Sequence, residues 1–435
     1  MKKIIKYILV FLGLILIFSS LLFASSLFSS SIIEKNVIES SKILSKEGNI
    51  YKFFPWSRVV NNNYTDVLMI NEAYSIDNKN PLYSCMAVRK NYKESVTKYS
   101  CSDITGDSIS LNSFRYDPVG ELSEFLNGNI DTSITYARYW HGYLPILRVL
   151  LIFFDISEIR MILLIIFVIL FVWLLKLIKD KIGLIEAIIF ALSLMLYSYF
   201  LVSYSLESAP VFLVMMISSI VLLNRIEKLK NLYLFVFIIS CITNFVDYLT
   251  VPLITLAIPL ILYITYKQKK NSNLPCKALI QIVIKSSLIW FIGYASTWFS
   301  KWLIYDILYG EEIIKSAITQ VIYRTGATVT YKTESIFSVI GKFMLDVLIY
   351  CDSIIILVIF FLLLNIKKYK ITVRTKKNYF NKTAPILLIA LIPIVWYLVL
   401  ANHTVVHSRF TYRHMLIFFI CIMLTCKNIC TIERK

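Results

Sequence analysis

Hydrophobic residues along this chain come in long unbroken runs, not in alternating or widely spaced positions. Met161–Leu175, Val211–Leu223 and Ile354–Leu364 carry no charged residue. A helix needs roughly 20 mainly apolar residues to cross about 30 Å of hydrocarbon, and the chain supplies such runs repeatedly. Their continuity predicts helices; barrel strands would alternate over about ten residues. Spans are predicted at 7–28, 158–177, 182–203, 207–224, 231–246, 251–266, 278–300, 338–366, 384–401 and 414–430. Between the first two lies a polar, turn-rich stretch, 30–157, too long for a loop without structure of its own. The expectation is therefore an all-α membrane protein of about ten transmembrane helices. It divides into a signal-anchor helix at 1–29, an extracytoplasmic loop domain with interfacial helices at 30–157 and a multi-span domain at 158–435. The end of the loop domain, Tyr143–Phe154, is interrupted by Pro145 and Arg148 and is expected to lie at the interface.

Composition agrees with this reading. Of 435 residues 58% are hydrophobic and 17% charged, against about 45–50% and about 25% in ordinary globular domains. The net charge of +18 is not the footprint of a nucleic-acid partner, because the excess Lys and Arg sit in short tracts between apolar runs. Lys2, Lys3 and Lys6 form one; Lys176, Lys179 and Lys181 another; Arg225, Lys228 and Lys230 a third; then Lys267, Lys269, Lys270 and Lys277, and Lys367 to Lys382. Such tracts mark cytoplasmic loops. With the N-terminus inside, every tract falls on the cytoplasmic face and the C-terminus returns there. The Lys-, Ile- and Asn-rich usage points to a bacterial cell membrane.

The same topology leaves 30–157, about 203–210, 244–250, 301–337 and 401–414 outside. All four histidines, His141, His403, His407 and His414, fall there, with Asp66, Glu72, Arg138, Glu207, Asp247, Lys301 and Arg324. Polar groups near membrane depth are costly and therefore candidates for function. In Asn402–His414, a helical start puts His403 and His407 on one face, with Arg409 and Arg413 beyond. That arrangement suits an anion or phosphate. Two imidazoles at that spacing also suit a metal, but no Asp, Glu or Cys lies between 353 and 420, and no metal site is assigned. Tyr136–Tyr143, with Arg138 and His141, reads either as an aromatic interfacial belt or as a site for a sugar beside a phosphate, Gly142 allowing close backbone approach. Asp66 and Glu72 lie on a predicted helix whose stripe Val67, Ile70 and Tyr74 would face the membrane domain. Asp247 interrupts a long apolar stretch and is either a hairpin residue or a buried carboxylate. Cys85 and Cys101, alone in the outer stretch, suit a disulfide on the oxidising side. No nucleotide, zinc-protease or serine-hydrolase signature is present.

A many-span chain with a large first outer loop, outside acids and outside Arg and His clusters resembles the GT-C class of membrane glycosyltransferases. The resemblance is one of architecture, specific only at Arg138-Tyr139-Trp140-His141-Gly142 and at Asn402–Arg413. It implies transfer of a sugar from a polyprenyl-phosphate donor to a cell-envelope glycan or lipid acceptor on the outer face. Asp66 would be the leading base and Glu72 the runner-up. Arg138, His141, His403, His407 and Arg413 would contact phosphate, with Arg409 and Asp247 as further substrate-binding residues. In that class the acid usually follows the first span closely, whereas here Glu34 and Glu39 are nearest and Asp66 comes later. No cofactor is called for, and whether a divalent metal takes part stays open. A polysaccharide polymerase or ligase, a transporter or flippase of lipid-linked precursors, and a non-catalytic assembly or sensor protein remain alternatives.

Overall fold

A computed structural model describes residues 2–52, 60–92, 118–130, 132–271, 273–325, 328–329, 332–333, 341, 369–373 and 377–434. The predicted span 338–366, residue 341 apart, and Cys101 lie outside the described residues.

The described elements are overwhelmingly helical. They begin with α1 (Lys2–Ser25), α2 (Glu34–Glu47), α3 (Asn63–Tyr74), α4 (Pro81–Ala87), α5 (Pro118–Leu126) and α6 (Leu144–Phe153). The bundle follows with α7 (Ile156–Lys181), α8 (Leu184–Leu196), α9 (Ala209–Arg225), α10 (Leu232–Val246), α11 (Ile254–Lys270) and α12 (Cys276–Tyr309). It closes with α13 (Ile313–Thr325), α14 (Lys377–Val399) and, after short turns at Ala401–His414, α15 (Met415–Ile429). Among the described residues strands occur only as short two-stranded antiparallel ribbons, such as Ile50–Lys52 with Val60–Asn62 and Arg89–Asn91 with Ser133–Thr135.

Among the described residues, five segments are long and apolar enough to cross a membrane: Ile4–Ser25, Ile156–Lys181, Cys276–Tyr309, Asn381–Val399 and Ser408–Ile429. Helices α8, α9 and α10 are apolar but shorter. The predicted span at 182–203 is not one helix. It stops at Leu196, turns through Ser198 in a left-handed conformation (φ 58°), and continues as a 3-10 segment, Tyr199–Tyr204. The Tyr199 hydroxyl anchors that segment by donating to the Phe167 carbonyl of α7. Helix α7 starts where its sequence dictates. Asp155 accepts from the Ser157 and Glu158 amides while Glu158 accepts from the Asp155 amide, a reciprocal cap that satisfies three orphan donors.

The elements between α1 and α7 and the bundle share one continuous apolar core, running from Val37, Leu44 and Ile70 through Leu147 and Ile156 to Phe212 and Leu416. Helix α3 sits inside it. Every residue from Thr65 to Ala73 is buried, so the expected one-sided stripe is replaced by contact all round, with α2, α5 and α6 as neighbours. Helix α6 is two-sided: one face is exposed at Ile146 and Val149, while Arg148 on the other is fully buried. Its guanidinium donates to the Ser25, Phe28 and Ala73 carbonyls and to the Ser30 hydroxyl, fastening the end of α1 to α3.

The two ends of the bundle differ chemically. At one end Lys181 pairs with Glu227, which also accepts from the Tyr266 hydroxyl; Lys427 pairs with Glu186; and Gln268 donates to the Lys382 carbonyl. The ends of α7, α11 and α15 and the starts of α8 and α14, which carry the basic tracts, therefore meet there. The four histidines and the carboxylates of Asp66, Glu72, Glu207 and Asp247 lie elsewhere.

Candidate functional site

Asp66 lies in the first turn of α3, where the Asn62 side chain accepts from the Tyr64 amide as cap. Its carboxylate is fully buried: Oδ1 accepts from the Leu206 amide at 2.9 Å and Oδ2 from Arg160 of α7 at 3.2 Å. Arg160 also holds both oxygens of Glu47 at 2.9 Å. The left-handed turn at Ser198 and the 3-10 segment after it deliver the 205–208 turn to this carboxylate. Burial raises Asp66 to about 6 despite Arg160. Glu207, in the same turn and equally buried, is raised to about 8 by burial and then by the Asp66 charge, with Thr65 and Arg413 working in the opposite direction. Arg413 donates to Ser208 at 3.3 Å, and its Nε has no hydrogen bond.

Asp247 is a buried carboxylate that also builds a turn. Oδ1 accepts from the Thr250 amide at 2.8 Å and hydroxyl at 2.7 Å, and Oδ2 accepts from the Tyr294 hydroxyl at 2.7 Å. Burial raises its pKa against those hydrogen bonds. The turn puts Leu249 at φ 63°, a conformation strained for a branched side chain. The Leu249 carbonyl accepts from His403 Nε2 at 2.8 Å, while His403 Nδ1 accepts from Arg324 at 3.3 Å. These two bonds fix the tautomer and occupy both ring nitrogens. His403 is pushed well below the ordinary histidine range by burial, then by His407 and Arg324. His407, its ring centroid 4.7 Å away, is pushed down to about 4, mainly by burial. Both are neutral at pH 7, so the charge here is carried by Arg324.

Tyr136–Tyr143 crosses between these groups. His141, itself at φ 56°, places Nδ1 2.8 Å from the Tyr248 hydroxyl and 3.4 Å from Glu72, and Nε2 donates to the Tyr136 carbonyl at 2.8 Å. Tyr143 and Tyr248 both donate to Glu72 Oε2, leaving Oε1 without a hydrogen bond. Glu72 is therefore locked between tyrosines, apart from Asp66. Arg138 reaches Ser316 at 3.3 Å, and its carbonyl accepts from the indoles of Trp298 at 2.9 Å and Trp302 at 2.8 Å. Arg409 is exposed and His414 is buried against Trp396 and Tyr397. Cys85 is a buried thiol donating to the Leu82 carbonyl; its expected partner, Cys101, is among the residues not described.

Gly142 does permit a close approach, but to protein: its amide donates to the Phe245 carbonyl at 2.8 Å, and a Cβ would meet that oxygen and the Phe245 ring at 2.5 Å. Gly142→Ala is expected to push the 136–143 segment off α10 and lower the thermal midpoint by several degrees. An unchanged midpoint in detergent would show that the segment is not held this tightly.

Sequence reasoning passed over Arg160, Tyr248 and the aromatic ladder of α12. Trp290, Tyr294, Trp298 and Trp302 recur every fourth residue, with successive centroids 4.9, 5.8 and 5.6 Å apart. That i, i+4 spacing was the available signal; for Arg160, a charge just inside an apolar run was the other. Among the described residues a polar cavity of about 410 Å3 also opens at the end of α3, lined by Tyr74, Asp77, Asn78, Arg89, Asn91 and Phe125 among others.

No family model, curated protein or solved structure matches this chain.

Proposed function

We propose that this chain is a membrane glycosyltransferase that moves a sugar from a polyprenyl-phosphate donor to a cell-envelope acceptor, with the basic end of the bundle in the cytoplasm and the acid-rich end outside. The observation that carries the reading is the pair of buried carboxylates, Asp66 and Glu207, held by one turn with Arg413 beside them. Two carboxyls whose environments push their pKa values apart divide the acid and base roles. Asp66, the lower of the two, takes the acceptor proton. Glu207 stays protonated at neutral pH and adds no negative charge near the incoming phosphate. Arg324, oriented by His403, together with Arg138 and Arg413, stabilises the charge that develops on the leaving phosphate. The aromatic faces of Tyr139 and Trp298, 5.7 Å between centroids, suit the apolar face of a sugar ring. The apolar helices around the site suit the polyprenyl tail. A polymerase uses the same chemistry, and the acceptor consumed in the assay separates the two.

The test is turnover of polyprenyl-phosphate sugars by the purified chain in liposomes, followed across pH. A base must be deprotonated, so activity rises through about pH 6, where Asp66 ionises. It falls through about pH 8, where Glu207 gains a charge that repels the donor phosphate. Glu207→Gln is expected to remove the alkaline fall and keep the acid limb. Absence of turnover with any lipid-linked sugar would sink the transferase reading; a flat profile would remove these two acids from it.

A further inference from the structure

At the basic end of the bundle a cavity of about 480 Å3 opens between the start of α8, the end of α11, the start of α14 and the end of α15. Lys269, Lys382 and Lys427 line it, with Gln268 and Asn428, and Glu186 is the one carboxylate among the described residues of its lining. Glu186 is already paired with Lys427. Lys269 and Lys382 have no carboxylate partner among the described residues, so the described lining carries an excess of two positive charges. From the cavity mouth an exposed apolar strip, Leu184, Ile185, Ile188 and Leu192, runs along α8. The site thus joins a cationic, hydrogen-bonding pocket to an apolar track on a bundle whose long helices suit a bilayer.

We propose that this cavity binds the phosphate headgroup of an anionic phospholipid, with an acyl chain lying along α8. Two features point to a lipid and not a free anion: the uncompensated lysines call for negative charge, and the adjoining strip calls for hydrocarbon. The site is distinct from the Asp66 cluster and does not depend on the transferase reading. Each lysine near such a headgroup contributes roughly a fivefold change in affinity.

The experiment is native mass spectrometry of the full chain, stripped in mild detergent and titrated with phosphatidylglycerol or phosphatidylcholine. Wild type is expected to retain phosphatidylglycerol well beyond phosphatidylcholine. Lys269→Gln with Lys382→Gln should weaken that retention about 25-fold. Lys269→Arg with Lys382→Arg should keep it, which also covers a glutamine variant that fails to fold. Equal retention of the two lipids by wild type, or undiminished retention in a folded glutamine variant, would overturn the proposal. Displacement of the lipid by millimolar inorganic phosphate would overturn it too, reassigning the cavity to a free anion.

Discussion

Asp66→Asn is expected to lower sugar transfer by about 10²- to 10⁴-fold, the usual contribution of a positioned general base, while the chain still inserts and folds. Asparagine keeps an acceptor oxygen for the Leu206 amide, which Asp66 Oδ1 holds at 2.9 Å. Arg160, deprived of Asp66, retains both oxygens of Glu47. The substitution therefore removes the proton acceptor and leaves its surroundings paired. The decisive measurement is the transfer rate at pH 7 from a polyprenyl-phosphate donor, alongside the thermal midpoint of the same preparation. Wild-type rates would remove Asp66 as base. A collapsed midpoint would make the Asp66–Arg160–Glu47 network a structural device and leave the base to be sought among the other buried acids. Glu72 is the weaker substitute, because two tyrosine hydroxyls already donate to its Oε2.

Arg148→Met is expected to destabilise the fold most. Arg148 is buried without a carboxylate, and its donors are spent on three backbone carbonyls and one hydroxyl. Methionine fills much of the volume but leaves those acceptors unpaired, at about 1–3 kcal/mol for each that water does not reach. A net loss of about 4 kcal/mol follows once some acceptors relax toward water. At roughly 2 °C per kcal/mol for a large domain, the midpoint should fall by about 8 °C. The 26–33 connection should also become sensitive to protease, since Arg148 ties Ser25, Phe28 and Ser30 together. Arg148→Lys should recover part of the loss, because lysine keeps the charge but not the planar spread of donors. A midpoint within 1–2 °C of wild type, inside the usual range for a surface substitution, would mean that those carbonyls find other partners.

How far the residues could be read in advance depended on range. Asp155-Ile156-Ser157-Glu158 announces a helix start within four residues, and the long apolar runs announce helices within one segment. Ser198 shows the limit. Nothing local forbids a helix through 182–203, yet the chain breaks there and carries the 205–208 turn onto Asp66. The candidate site followed the same division. Asp247 stands out as a polar residue in apolar surroundings, and His403 and Arg413 as members of a polar cluster between two apolar runs, whereas Arg160 and Tyr248 acquire meaning only through Asp66, Glu47 and Glu72.

By itself the sequence determined that this chain is helical, strongly apolar and built with its basic tracts set apart from its histidines. Those properties reside in runs of neighbouring residues, where the cost of exposing or burying a side chain is decided locally. Only the tertiary structure decided which polar group meets which. Asp66 meets the amide of Leu206, 140 residues away, and Glu72 meets the hydroxyl of Tyr248, 176 residues away. A buried charge must find a partner wherever the packing of helices brings one, and that partner is not written beside it in the chain.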